Sequence, residues 1–235
     1  MKFFHQHRKT GKKGEAARRA RYITRAETVA EDLVMIGSGN MPENVDPMDY
    51  WSEADECERE NGVTFRDYTI ALPREVPMHE NVRLASRLSE RLAGKKPYSF
   101  AVHCPRAALE GGPQPHVHAM VSPRIPDGVV RPLDQVFRRY NSDCPALGGC
   151  RKEPAPSSKS ELRKQMIAER QLCADEINRT LESCGLDARV GHRSNKDRGI
   201  TDAPGRHLGA AGVRQKKEQD MEKEQGIKKD GADES

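Results

Sequence analysis

Three histidines occupy two short segments whose apolar and polar residues alternate as in β-strands. His103 lies near the end of YSFAVHC at residues 98–104, and His116 and His118 form an HxH pair in PHVHAMVS at residues 115–122. Imidazoles are the commonest neutral metal ligands in proteins, and three of them leave coordination positions open for a substrate oxygen. The three histidines are therefore candidate metal ligands, provided that the fold brings them together.

An antiparallel hairpin would bring them together. With the connecting loop placed symmetrically between the two segments, His103 lies opposite His116 and Ala101 lies opposite His118. Because side chains alternate along a strand, all three imidazoles then share one face, and an apolar face remains for packing against helices. The alternative interpretation is a polar row on a half-solvated sheet surface.

A tyrosine lies among arginines near the N-terminus, in the segment RRARYITR at residues 18–25. Helical spacing places Arg18 and Arg25 on the same face as Tyr22, where guanidinium groups can hold phosphates on either side of the phenol. A neutral phenol is a poor nucleophile, so attack on a phosphodiester would require a metal and a means of removing the phenolic proton. The same spacing also suits an ordinary amphipathic tyrosine on a helix surface.

Positive charge is concentrated at the N-terminus. Residues 1–25 carry nine Lys or Arg against one acid, Glu15, although the formal charge of the whole chain is only +4. This uneven distribution makes the region a candidate phosphate-binding surface. Its candidate DNA contacts are Lys12, Lys13, Arg18, Arg19, Arg21 and Arg25.

Composition also bears on where the protein works. No stretch approaches the roughly 20 apolar residues that cross a bilayer, and the basic N-terminus is not followed by the apolar run of a signal peptide, so we expect a cytoplasmic protein with no membrane insertion. The six cysteines include no CxxC pair, which favours free thiols. A zinc site on Cys144 and Cys150 is a weaker alternative, because it has only two neighbouring soft ligands.

The order of apolar patterns, caps and breakers predicts an α+β fold. Strands are expected at residues 2–9, 65–72, 98–104 and 115–122, and helices at about 14–35, 48–60, 79–94, 132–140 and 159–184. These elements suit a central, mostly antiparallel sheet with helices packed on its apolar face and the metal on the other. Beyond about residue 213 charge dominates, which predicts a charged, disordered tail.

Together these features resemble the MobA/MobL family of plasmid mobilisation relaxases, members of the HUH endonuclease superfamily. The resemblance rests on the HVH of QPHVHAMVSPR and the histidine of YSFAVHCP, and on four further blocks in the family's order: MPENVDPMDYW, RDYTIALPREV, DGVVRPLDQVFRRYN and HRSNKDRGITDAPGRHLG. It spans roughly residues 1–212, which we predict to be one relaxase domain followed by the tail at 213–235.

The resemblance implies both chemistry and partners. Tyr22 takes the place of the catalytic tyrosine, and His103, His116 and His118 take the places of the metal ligands, with Mn²⁺ or Mg²⁺ expected as the divalent metal. The implied reaction is nicking of single-stranded DNA at a plasmid origin of transfer, which leaves a 5′-phosphotyrosyl link. Mobilisation accessory proteins and a type IV secretion coupling protein are the further partners that the family implies.

One position departs from the family's pattern, and one matching block has two possible roles. Where relatives carry an acidic residue two positions before ALP, this chain has Thr69, and Asp67 on the same strand face is the candidate carboxylate behind the metal ligands. In the C-terminal block, His192, Arg193 and His207 match the family, and they can equally close the domain or touch the DNA backbone.

Three alternatives remain open. A rolling-circle replication initiator would have the same site and chemistry, although the C-terminal block favours the relaxase. A non-catalytic origin-binding protein would keep the fold without the reaction. A zinc hydrolase would use the histidines but would form no covalent link to DNA.

Overall fold

The computed structural model describes residues 2–24, 32–106, 111–193, 197 and 199. The chain divides into two compact units, one formed by residues 1–105 and 114–192 and the other by residues 106–113 and 193–235. In the second unit the described structure includes a bridge between Arg106 and Pro113. All helices and strands below belong to the first unit.

The described part of the first unit contains fifteen elements in chain order. Its strands are β1 (Lys2–Phe3), β2 (Gln6–Lys12), β3 (Leu33–Gly39), β4 (Val63–Ala71), β5 (Tyr98–His103), β6 (His116–Val121), β7 (Arg124–Ile125), β8 (Arg151–Lys152) and β9 (Val190–Gly191). Its helices are α1 (Ala16–Thr24), α2 (Pro47–Cys57), α3 (Met78–Ala93), α4 (Leu133–Val136), a 3₁₀ turn (Pro145–Leu147) and α5 (Lys159–Ser183). Among the described residues, no helix is long and apolar enough to span a membrane.

A five-stranded antiparallel sheet forms the centre, in the order β2-β4-β6-β5-β3. Two further pairs, β1 with β9 and β7 with β8, lie outside it. The predicted α+β class and the antiparallel sheet are confirmed. The hairpin of β5 and β6 has a paired strand on each side, so the histidines on it lie away from the edges of the sheet, where strands are less constrained.

Helices cover both faces of this sheet. One face packs against α3 and α5 through apolar residues that include Phe100, Val102, Val117, Leu84 and Ile177. The expectation that helices cover one face alone is therefore incomplete, because a second layer of α1, α2 and α4 packs on the face that carries the histidines.

The second layer is held by its own core. Trp51 of α2 packs with Ala101 and Met120 of the sheet, and Ile23 of α1 joins the same cluster. Trp51 also donates a hydrogen bond from Nε1 to the Ser99 hydroxyl, 2.9 Å away. The histidine face is thus partly an interior surface rather than an open one.

The predicted helix over residues 14–35 is wrong at its C-terminal end, because residues 33–39 form the edge strand β3. This strand pairs with β5 from Leu33 opposite His103 to Gly39 opposite Tyr98. At Gly37 a Cβ would lie 2.5 Å from the Phe100 ring, so the glycine allows the aromatic side chain to cross the strand. The predicted helix was too long because a strand forms by pairing with a partner that is distant in the chain. Local residue propensity does not reveal that partner.

The other helices begin and end near their predicted bounds for the predicted reasons. Asp46 caps α2 by accepting a hydrogen bond from the Met48 amide at 2.7 Å, and Gly94 ends α3 with a positive φ of 61°. The exception is α4, which stops at Val136 instead of continuing to about residue 140. Beyond it, the carbonyl groups of the next two residues accept hydrogen bonds from a buried arginine, Arg124.

Arg124 is the centre of a buried polar network. Its guanidinium donates to the Glu58 carboxylate at 2.6 Å and to the Cys150 carbonyl at 2.8 Å, and Lys152 lies 2.7 Å from the same carboxylate. Burial raises the pKa of Glu58, but the hydrogen bonds from Lys152 and Arg124 outweigh it, so the pKa is lowered. The network ties the end of α2 to β7, β8 and the chain after α4.

Replacing Glu58 by Gln should destabilise the fold, because it leaves the buried Arg124 and the half-buried Lys152 without their counter-charge. We expect a decrease of about 3–5 kcal/mol in the free energy of unfolding, measured by urea denaturation at pH 7. The Glu58 contribution is fully present above the ordinary carboxyl pKa of about 4.3 and is lost as pH falls through the lowered folded pKa, so the gap between parent and variant should narrow in acid. Glu60→Gln, at an exposed position nearby, should have little effect; equal stability of parent and Glu58→Gln would contradict the role given to the network.

Candidate active site

The three histidines meet on the face of the β5–β6 hairpin. The predicted register is observed, with His103 opposite His116 and Ala101 opposite His118. The ring centroid of His103 lies 5.6 Å from those of both His116 and His118, and the latter two are 5.0 Å apart. His103 is buried, whereas His116 and His118 are partly accessible. We call these three residues the histidine cluster.

Hydrogen-bond partners determine which nitrogen of each ring carries the proton. His116 Nδ1 donates to the Gln114 carbonyl at 3.0 Å, which leaves Nε2 with a lone pair. His103 is oriented the other way, because its Nε2 donates to the Ile23 carbonyl at 2.7 Å. Its Nδ1 lies 3.8 Å from the Asp32 carboxylate.

His118 has two polar neighbours at the same nitrogen. Its Nδ1 lies 3.0 Å from Arg19 Nη2 and 3.0 Å from the Thr69 hydroxyl. A guanidinium only donates, so Nδ1 accepts here and the ring proton lies on Nε2. Burial, followed by the charge of Arg19, lowers the pKa of His118 to about 3, so the ring is neutral at physiological pH.

These contacts allow a test of whether the cluster fits a metal. In the described part of the chain, no group of three His, Cys, Asp or Glu side chains is arranged to hold a metal ion as it stands. His103 is not oriented as a ligand through Nε2, which faces the Ile23 carbonyl, whereas His116 keeps a lone pair on Nε2. The donor set itself fits, because three neutral imidazoles within 5.6 Å of one another suit a divalent cation. Binding would require His103 to turn, His118 to shift its proton to Nδ1, and Arg19 to withdraw from that nitrogen, because a guanidinium and a protonated Nδ1 both donate.

Thr69 can support the proton shift of His118. Once Nδ1 of His118 carries the proton, it can donate to the Thr69 hydroxyl, which already lies at hydrogen-bond distance. Asp67, the carboxylate expected behind the ligands, reaches His118 only through Arg19, to which its carboxylate is paired at 2.8 Å. The departure from the family's acidic residue therefore places a hydroxyl, not a carboxylate, against the ring.

Helix α1 contacts the cluster through residues on both sides of Tyr22. Arg19 contacts Asp67 and His118, and its guanidinium carbon lies 5.0 Å from the centroid of the Tyr22 ring. One residue beyond Tyr22, the Ile23 carbonyl accepts the hydrogen bond from His103. Tyr22 thus stands between two contacts to the histidines, with 59% of its surface exposed.

The first turn of α1 is fixed by a residue that no local sequence pattern indicates. The Asp55 carboxylate of α2 accepts hydrogen bonds from the backbone amides of Gly14, Ala16 and Ala17 at 2.8, 3.0 and 2.9 Å. A carboxylate at a helix N-terminus satisfies amides that lack partners within the helix and complements its dipole. Asp55 lies 41 residues after Gly14, which explains why a search for neighbouring caps misses it.

A groove of about 330 Å³ runs beside Tyr22. Its wall includes Arg18 and Arg19 of α1 together with Lys9 of β2, whose ammonium lies 4.0 Å from Asp67. Lys9 belongs to the basic N-terminus but is not among the DNA contacts predicted from the sequence. Cationic side chains around a phenol are suited to an anionic substrate such as a phosphodiester.

The remaining candidate DNA contacts are spread over the same region of the chain. Arg18 and Arg21 are exposed on α1, Lys12 is exposed at the end of β2, and Lys13 follows it. The arginine that contacts the Tyr22 ring is Arg19, whereas Arg25, expected to flank it, lies outside the described residues.

The C-terminal block is only partly described. His192 follows β9 at a partly buried position, and Arg193 is exposed in the second unit. His207 lies outside the described residues. Cys150 is buried and Cys144 is exposed, and the described chain contains no group with the ligands for a zinc site there.

Comparison with known sequences places this arrangement in a family. The sequence matches the model of the MobA/MobL family over residues 6–218. The chain belongs to the MobA/MobL family. The match includes the histidine cluster, Tyr22 and all of the central sheet.

Individual relatives agree with this assignment. Mobilization protein A of Escherichia coli is 41% identical over 89% of this chain and 30% of its own length. The 43 kDa relaxation protein of Salmonella typhimurium is 36% identical over 85% of this chain and 56% of its own length. The chain therefore spans about half or less of the length of these two relatives.

A solved structure supports the fold. One solved structure is described as "Molecular Basis of Vancomycin Resistance Transfer in Staphylococcus aureus". Its chain superposes on this one with a TM-score of 0.54 at 18% sequence identity, and the alignment covers 82% of this chain and all of the other. At that identity the likeness concerns the fold alone.

Replacing Asp55 by Ala should loosen α1, because three amides lose their acceptor. We expect the free energy of unfolding to fall by about 1–2 kcal/mol and the amides at the start of α1 to exchange faster with deuterium than those of α3. Glu56→Ala removes an exposed acid from the same helix and is the matched control. If α1 amides exchange alike in parent and Asp55→Ala, the helix does not depend on this cap.

Proposed function

We propose that this chain is the DNA relaxase of a mobilisable plasmid, which nicks one strand at the origin of transfer and becomes linked to the new 5′ end. The observation that carries the proposal is the position of Tyr22. It is an exposed phenol held between Arg19, which contacts His118, and Ile23, whose carbonyl contacts His103. Membership of the MobA/MobL family supports it, as do relatives named for mobilization and relaxation.

His103, His116 and His118 would hold a divalent metal, with Mn²⁺ or Mg²⁺ the candidates for phosphate chemistry. When bound, such an ion polarises the scissile phosphate and stabilises the charge that develops on its oxygens. Neutral imidazoles are required for binding, and the lowered pKa of His118 keeps that ring neutral at physiological pH.

Tyr22 supplies the nucleophile. Its phenolic oxygen forms a bond to phosphorus as the bond from phosphorus to the 3′ oxygen breaks, and the phenolic proton leaves to solvent. The departing 3′ oxygen takes up a proton and becomes a hydroxyl. Because one phosphoester is exchanged for another, the reverse reaction can join the strand again after transfer.

The basic side chains of the Tyr22 groove would hold the strand. Lys9 and Arg18 belong to the wall of the groove, and Arg19 lies against the Tyr22 ring while remaining paired with Asp67. Contacts of this kind hold phosphates without reading bases. They account for affinity and register, whereas recognition of the origin sequence would require base contacts elsewhere.

Tyr22→Phe tests the proposal directly, because it removes only the hydroxyl. With an origin oligonucleotide and Mn²⁺, the parent should give a covalent adduct on a denaturing gel, and the variant should give none while folding and binding DNA like the parent. Tyr98→Phe, at a buried strand position, is the matched control and should keep the adduct. An adduct that persists in Tyr22→Phe would refute the nucleophile, and binding without any adduct in the parent would favour a non-catalytic origin-binding protein.

Thr69→Val tests how the metal site is organised. Valine keeps the shape of threonine but cannot accept the proton of His118 Nδ1, so the affinity for Mn²⁺ should fall by about 10-fold to 100-fold, measured by titration calorimetry. Thr10→Val, an exposed position on the neighbouring strand, should titrate like the parent. Unchanged Mn²⁺ affinity in Thr69→Val would show that this hydroxyl does not orient the ring.

A further inference from the structure

A second basic cavity lies apart from the proposed site. It is a cleft of about 370 Å³ at the end of α2. Its lining contains five cationic side chains and one carboxylate, and we call it the arginine cleft: Arg59, Arg124, Arg138, Arg139, Lys152 and Glu58. None of these residues contributes to the histidine cluster or to the Tyr22 groove.

The single carboxylate does not neutralise the cleft. Glu58 accepts from Arg124 at 2.6 Å and pairs with Lys152 at 2.7 Å, and the Arg59 guanidinium lies 3.8 Å from it. One negative charge is thus shared among three cations. The excess of positive charge makes the cleft attractive to an anion.

Two further arginines line the cleft, and Arg139 adds to this excess. Arg138 pairs with Asp134 at the surface, and Arg139 is exposed, with no ion pair among the residues that the structure describes. Arg59 is also open to solvent, since 80% of its side chain is exposed. Arg59 and Arg139 can therefore reach a ligand without first breaking a buried contact.

The backbone around the cleft is held in place before any ligand arrives. Arg124 binds the carbonyl groups of Arg138 and Cys150 at 2.9 and 2.8 Å. At Gly149 a Cβ would lie 2.2 Å from the Arg138 carbonyl oxygen, so this glycine lets the two chain segments close on each other. A fixed frame reduces the entropic cost when the exposed arginines bind a ligand.

Asp55 connects the start of α1 to the segment that contains the cleft residues, whereas Tyr22 lies near the end of α1. Asp55 caps the first turn of α1, and the cleft residues Glu58 and Arg59 follow closely after it in the chain. Tyr22 lies in the last turn, about 9 Å along the helix from Ala16 at roughly 1.5 Å per residue. Arg18 is exposed on α1 between the two ends.

We propose that the arginine cleft binds the sugar–phosphate backbone of the DNA strand that Tyr22 engages, as a second anionic contact site. The inference rests on the proposed function for the identity of the strand. Its chemistry follows from the cleft itself, because guanidinium groups bind phosphates in a bidentate manner and backbone contacts need no particular base. The site would lengthen the bound stretch of DNA beyond the nucleotides at the histidine cluster.

The test is the salt dependence of binding to an oligo-dT of about 30 nucleotides in the Tyr22→Phe background, where no adduct can form. The double variant Arg59→Gln and Arg139→Gln should lower affinity on the order of tenfold at about 0.1 M salt. It should also reduce the slope of log K against log salt by about 1.4, which is about 0.7 for each of the two phosphates that the variant no longer neutralises. The control, Arg83→Gln and Arg163→Gln, removes the same charge from exposed positions on α3 and α5 and should behave like the parent.

Three outcomes would contradict the cleft proposal. Unchanged affinity and slope in the cleft variant would overturn the cleft proposal, and so would an equal decrease in the control, which would show an effect of net charge alone. If the parent does not bind oligo-dT at all, the sequence-independent backbone contact fails, whereas the proposed function is decided separately by the Tyr22 adduct with the origin oligonucleotide. Thermal unfolding midpoints matching the parent verify that the variants fold.

Discussion

The ion pair between Arg19 and Asp67 is the contact on which the arrangement of the site depends. Asp67 is buried on β4, where burial raises the pKa of its carboxyl while Arg19 and Lys9 oppose that rise. A buried carboxylate without its partner would be unstable, so Arg19 must stay close to it. Because Arg19 belongs to α1, the requirement holds the helix against the histidine strands and sets the position of Tyr22, three residues later.

The sheet divides stabilising and chemical roles between its faces. The face against α3 and α5 is packed with aliphatic and aromatic side chains from alternate strand positions. The other face combines a smaller apolar cluster with histidines, a threonine and charged groups. The first face can supply the burial that keeps the hairpin rigid, while the second tolerates polar groups because they have hydrogen-bonding partners nearby.

The hydrogen bonds of the histidine cluster to α1 link the position of this helix to metal binding. With Arg19 donating to His118 and Ile23 accepting from His103, two of the three rings use α1 as a partner. A metal held by these rings would require His103 to give up its hydrogen bond to the Ile23 carbonyl and His118 Nδ1 to give up its contact with Arg19. The position of α1 and the state of the site are therefore coupled through specific atoms, which is a physical basis for linking metal binding to the placement of the tyrosine.

Sequence alone determined the features that depend on local patterns, whereas tertiary structure decided which residues surround them. Alternation in residues 98–104 and 115–122, together with a symmetric placement of the connecting loop, predicted the register of the hairpin, because a slip by one residue would have moved every apolar side chain to the wrong face. The first residues of the edge strand β3 were predicted as the end of a helix, and only the pairing with β5 made them part of a strand. Likewise Asp55 caps a helix that starts about 40 residues earlier, and Arg19 meets the Tyr22 ring because α1 packs with that side toward Asp67. These contacts join residues far apart in the chain, and they form because buried charges and helix ends need partners wherever the fold can provide them.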